Sequence, residues 1–201
     1  MRPLRFSLLV LALIVGVGAQ AQKPSVWERV QPRQAFVQYA GNMGLLSAGV
    51  GWDYGRKRQW ETALMAGIVP KYNSDAVRGV FTVKETFVPW RLKFRPPHFR
   101  FEPLTCGLYV NAITGRHFWT RQPERYPSPY YHYFCTRWRI NVFVGERFDY
   151  ELPRKFKHLK SIGAFYEVSL NDFEIFEFVE NKGVSLWNAC SLSLGLKLQL
   201  R

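Results

Sequence analysis

Cysteine is scarce: Cys106, Cys135 and Cys190 are the only three in 201 residues. An odd number cannot pair completely, and their spacing fits neither a disulfide framework nor a zinc site. Histidine is nearly as thin, with His98, His117, His132 and His158. No His/Cys/Asp spacing suits a metal, so no metal and no cofactor are expected. Acidic residues are outnumbered, 15 Asp and Glu against 28 Lys and Arg, for a formal charge of +13. That balance points to anionic partners, although it would equally serve as a solubilising surface. Long apolar runs are missing after residue 21, which excludes a downstream transmembrane helix.

The one apolar run there is, FSLLVLALIVGVGA, follows Arg2 and Arg5. It is shorter than the roughly 20 residues a spanning helix needs. Ala19-Gln20-Ala21 then offers small residues at the positions a signal peptidase reads. A cleaved signal peptide is therefore expected over 1–21. No cysteine follows it, so a lipid anchor is not expected. For an exported chain the anionic partners would be phosphorylated headgroups or polyanionic saccharides rather than nucleic acid. Residues 22–34 read as a polar lead-in tail, and 35–201 as one β domain.

That domain is strand-like nearly throughout. Aromatics make up 16% of the chain, and β-branched and aromatic residues recur in short runs bounded by Gly, Pro and Asn. The pattern predicts strands at 35–40, 45–54, 59–69, 80–90, 104–112, 136–145, 162–170 and 191–201. The stretch 171–188 reads as a loop with room for a short helix. The last strand, SLSLGLKLQLR, places Leu192, Leu194, Leu196, Leu198 and Leu200 on one face. Ser, Gly, Lys and Gln line the other.

Every run repeats this division. One face is Leu, Val, Ile, Phe, Ala and Trp. The other is Gly, Ser, Thr and Asn, with charges at Glu61, Lys84, Arg137, Arg139, Glu167 and Lys197. Glu85 interrupts the apolar face, marking either the end of the apolar zone or an error of phase. A soluble carrier would turn the apolar face inward around a cavity. A membrane barrel would turn it outward to lipid. The small residues and opposite charges of the polar face suit the narrow interior of eight strands. Trp52, Tyr54, Trp60, Trp90 and Trp138 fall near strand ends, where an aromatic belt would lie. The expected fold is an all-β, closed antiparallel transmembrane barrel of about eight strands with a polar interior. Glu61, Lys84, Arg137, Arg139 and Glu167 are expected to form its interior charge network.

The stretch VQYAGNMGLLSAGVGWDYGRKRQWETALMAGIVP, with TVKETFVPW and SLSLGLKL, resembles the small eight-stranded outer-membrane barrels of Gram-negative, Bacteroidota-type bacteria. The resemblance covers most of 35–200 and lies in pattern rather than one motif. It implies residence in the outer membrane, contact with its lipids and lipopolysaccharide, and passage through the barrel-insertion machinery. Such barrels commonly end in an aromatic residue, whereas this chain ends in Leu200 and Arg201.

More distantly, the chain is similar to lipid A deacylase-like barrels, which imply a lipid A-modifying hydrolase or acyltransferase. Their His and Ser stand two residues apart on a strand, so that the base can take the hydroxyl proton. Here His98, His117, His132 and His158 are followed at that distance by Arg100, Trp119, Phe134 and Lys160. The Asp-Ser pair of the palmitoyl transferases is missing too. What remains is the run 113–135. His117, His132 and Glu124 are its weak catalytic candidates. Arg116, Arg121, Tyr130 and Tyr131 are candidates for gripping a phosphorylated sugar headgroup, through planar guanidinium forks and aromatic faces. The reading preferred for the same run is a proline-stiffened plug folded over the barrel mouth.

Overall fold

Period-two alternation interrupted by Gly, Pro and Asn is realised as a closed barrel. A computed structural model describes residues 30–71, 76–94, 98–115, 137–153, 155–180 and 190–201. The strands are β1 Gln34–Ala40, β2 Leu46–Tyr54, β3 Trp60–Val69, β4 Arg78–Phe87, β5 Leu92–Lys93, β6 Phe99–Ile113, β7 Trp138–Glu151, β8 Leu159–Asn171 and β9 Ser191–Leu200. One helix, α1 Asp172–Glu180, follows β8. All pairings are antiparallel, in the order β4-β3-β2-β1-β9-β8-β7-β6, and β4 pairs with β6 to close the ring of eight. Val37 lies opposite Leu196 where β1 meets β9. Val83 lies opposite Val110 at the closing pair. β5 is a two-residue extension paired to β6.

Antiparallel connectivity sorts the connections onto two ends. The first end holds the entry to β1, the exit of β9, the turn 55–59 and the connections 88–98 and 152–158. The second end holds the turn 41–45 and the connections 70–77, 114–137 and 172–190. At the second end the turn 41–45 folds inward, and Met43 is fully buried. Gly44 permits this with φ of 108°, a conformation that side chains disfavour. A Cβ on Gly44 would lie 2.9 Å from the Ile68 carbonyl oxygen.

Three strands run three or more residues further at one end than the alternation predicts. β6 begins at Phe99 rather than 104 because a register shift between Glu102 and Thr105 accommodates Pro103. A bulge is where a sheet tolerates the missing N–H of proline. β7 continues to Glu151 and β8 starts at Leu159, so all of ERFDYE is strand. Its period survives: Phe148 and Tyr150 are exposed, whereas Arg147 and Asp149 are buried. Two strand ends fall short of expectation. β4 stops at Phe87, before Pro89 and Trp90. β7 starts at Trp138, leaving Arg137 outside the strand.

The helix within 171–188 has a reciprocal cap. The Glu174 amide donates to Asn171 Oδ1 at 2.9 Å, and the Asn171 amide donates to Glu174 Oε2 at 2.7 Å. Two orphan donors of the first turn are thereby satisfied. The barrel's waist is filled by Phe36, Ala63, Met65, Tyr109, Phe143 and Phe165, with Met43 above them. Gly195 makes room for one ring, since a Cβ there would lie 2.2 Å from Phe165 Cζ.

Candidate functional site

Side chains at alternate positions of facing strands converge inside the closed sheet. Glu61 of β3, Arg147 of β7 and Lys197 of β9 meet near the first end. Arg147 Nη1 donates to Glu61 Oε2 at 2.9 Å and to Glu102 Oε2 of β6 at 3.0 Å. Lys197 Nζ donates to Glu61 Oε1 at 2.5 Å. All four side chains are no more than 3% exposed. The chain of alternating charges continues outward through Arg100, which donates to Asp149 Oδ2 at 2.6 Å and lies 3.7 Å from Glu151.

Arg91 enters the network from the connection after β4. Its Nε donates to Glu102 Oε1 at 2.8 Å, and Nη2 lies 3.4 Å from Glu61 Oε1. The same guanidinium donates to the carbonyls of Lys57 and Arg58 at 2.8 and 2.7 Å. One arginine thus ties two connections to two interior carboxylates. A guanidinium can do this because its donors are fixed in one planar fork.

A second ion pair stands at the waist. Lys84 Nζ of β4 donates to both carboxylate oxygens of Glu167 of β8, at 2.6 and 2.5 Å. Its ammonium sits 4.3 Å from the Phe143 ring centroid and 5.4 Å from that of Phe165. The aromatic faces share the positive charge that burial would otherwise penalise.

Towards the second end, charge gives way to amides and hydroxyls. Asn42, in the inward turn, donates to Asn141 Oδ1 at 3.0 Å. Its carbonyl accepts from Asn111 Nδ2 at 2.6 Å, and its Oδ1 accepts from Ser191 Oγ at 2.8 Å. The turn is therefore held to β6, β7 and β9 together.

The five charges anticipated for one network separate into three places. Glu61 joins the Arg147 cluster, and Lys84 pairs with Glu167 at the waist. Arg139 does not join either: it pairs with Asp172 at 3.3 Å and faces the Phe173 ring at 5.5 Å, at the second end. Arg137 is exposed, ahead of β7. Both corrections follow from axial position, because these arginines start a strand whose other end carries the cluster. Glu102, Arg147, Asp149, Arg100 and Arg91 were not anticipated. Continued alternation along β7, through Asn141, Phe143, Gly145, Arg147 and Asp149, was the signal for two of them. The candidates Arg116, His117, Arg121, Glu124, Tyr130, Tyr131 and His132 lie outside the described residues, as do Cys135 and the expected signal peptide.

The opposite face of the sheet carries exposed Leu46, Leu64, Phe81, Val83, Leu108 and Ile140, among others. Trp60 packs against Phe87 with centroids 4.7 Å apart, and the Trp52 indole donates to the Val30 carbonyl. Glu85 shares this face. It accepts from Thr62 Oγ1 at 2.5 Å and from the Tyr54 hydroxyl. Its phase follows the alternation, and two neighbouring hydroxyls satisfy its carboxylate. Cys106 and Cys190 are half-buried free thiols.

Among the described residues, no three His, Cys, Asp or Glu side chains gather to hold a metal. No described helix is long and apolar enough to cross a membrane, which says nothing of strands. Compared with family models, curated proteins and solved structures, the chain gave no match.

Proposed function

We propose that this protein is an integral β-barrel of a bacterial outer membrane, with a structural, lipopolysaccharide-contacting role and a sealed interior. One observation carries the proposal: all round a closed sheet, exposed apolar side chains alternate with buried ones that are mostly polar or charged, with a ring of aromatics at the waist. Water would penalise so wide an aliphatic surface, because soluble monomers rarely expose contiguous apolar patches beyond a few hundred Å². Acyl chains favour it, and a closed ring leaves no unpaired strand edge in lipid. A ligand carrier would need an apolar lumen, whereas the buried face here carries Glu61, Arg147, Lys197, Lys84 and Glu167.

Ion pairs at the first end, rings at the waist and the Asn42 turn at the second end support a plug rather than a channel. Eight strands leave room for side chains and little else. The second end carries the longest connections, 114–137 and 172–190, which suits the outer surface. Arg116, Arg121, Tyr130 and Tyr131 belong to the first of these and are our candidates for headgroup contact. The alternating leucines of β9 would serve recognition by the insertion machinery.

Gel mobility and membrane washing test the proposal. The unheated protein is expected to migrate differently from the boiled sample, to stay with membranes through high salt and alkali, and to leave with detergent. Release by salt alone, with no heat-dependent shift, would sink it.

A further inference from the structure

At the first end most acids point inward: Asp53, Glu102 and Asp149 are each at most 6% exposed and ion-paired to Arg58, Arg147 and Arg100, whereas Glu151 is 37% exposed and lies 3.7 Å from Arg100. Arg91 turns inward to Glu102, and the other described cations of these connections are exposed. Arg56 and Lys57 of the β2–β3 turn are exposed, as are Lys93 of β5, Lys155 and Lys157 between β7 and β8, and Arg201 after β9. They come from every hairpin connection at this end and from the chain's exit, so they encircle the barrel instead of clustering on one flank. Exposed aromatics neighbour them at each of the three hairpin connections: Tyr54 and Trp60, Phe94 and Phe99, Tyr150 and Phe156.

A protein partner would dock on one side and meet only part of such a ring. A plane of headgroups meets all of it at once. Tyr and Trp settle at the lipid–water boundary, and Lys and Arg just beyond them reach the phosphate layer. Resting on the lipid-facing belt inferred above, we propose that the first end is a cationic collar that binds the phosphodiesters of anionic glycerophospholipids in the adjacent leaflet. The inward-turned acids serve the collar by keeping negative charge away from the phosphates. The sign of the surface at this end is thus set by the interior network.

The full chain in detergent micelles, offered phosphatidylglycerol or phosphatidylcholine, tests this by native mass spectrometry of retained lipid. The intact protein is expected to retain phosphatidylglycerol preferentially, and less so as salt rises, because screening weakens such contacts. The variant Arg56→Gln/Lys57→Gln/Lys155→Gln/Lys157→Gln alters exposed turn residues only. It is expected to lose roughly fivefold in that preference for each cation removed at low salt, from about 1 kcal/mol per basic residue near an anionic surface. Equal retention of the two lipids would overturn the collar, as would a preference that the variant keeps. Competition by inorganic phosphate at matching concentration would overturn the lipid as its occupant. Heat-modifiable mobility, measured on the same samples, separates these results from failure of the barrel to insert at all.

Discussion

Ser193 and Leu194 are consecutive residues of β9 with opposite surroundings. Ser193 is 2% exposed and Leu194 is 53% exposed. In a soluble protein these assignments would be reversed. The same inversion recurs on β3, where Glu61 is buried beside exposed Trp60, and on β7, where Arg147 is buried beside exposed Phe148. The inner face derives specificity from paired charges that must all be present together. The outer face needs only to be apolar, and many side chains meet that demand. Substitutions should therefore be felt differently: by identity on the inside, by polarity on the outside.

The largest effect is expected from Arg147→Leu. It leaves Glu61 and Glu102 short of a shared partner inside the barrel, and breaking a buried network in this way costs about 3–5 kcal/mol. Unfolding by denaturant in vesicles, followed by tryptophan fluorescence, measures it. A cost under 1 kcal/mol would mean that the interior is well hydrated. Next is Leu194→Arg on the outer face, expected to destabilise the inserted barrel by about 2–4 kcal/mol near the middle of the bilayer. Leu194→Ile should leave stability nearly unchanged in the same assay. If the arginine variant were as stable as the parent, the outer face would not lie in lipid.

Gly195→Ala comes third. Its new Cβ would meet the Phe165 ring, and overpacking of this kind costs about 1–3 kcal/mol. Pairing it with Phe165→Leu should recover part of the loss, which a double-mutant cycle would read. The smallest effect is expected from Arg56→Ala in the same assay. Its side chain is exposed in the β2–β3 turn, and surface substitutions of this kind usually change stability by less than about 0.5 kcal/mol.

Period-two alternation made much of the barrel legible. Eight strands and the two faces of β9 follow from side-chain parity; the inward direction of Glu61, Lys84, Glu167 and Lys197 also needed the small residues and opposite charges of that face, which suit a narrow interior. Partnership does not follow from parity. Strand tilt and stagger decide which inward charges share a level, so Arg139 meets Asp172 while Arg147 meets Glu61. ERFDYE concealed Arg147 and Asp149 because its density of charge resembles a loop more than a strand. Pro103 concealed the start of β6 because a bulge absorbs it. Arg91 acts from a connection, where no periodicity exists to reveal a direction.

Lipid contact by the aliphatic face is the claim on which the functional account depends. Nitroxide labels at Leu194 and, for comparison, at the exposed turn residue Lys57 test it, in a background where Cys106, Cys135 and Cys190 are serine. In vesicles, the label at 194 should collide readily with oxygen dissolved among acyl chains and be shielded from a water-soluble nickel chelate, while the label at 57 should show the reverse. A label at 194 as open to the nickel chelate as the one at 57 would place the leucines in water and contradict the account.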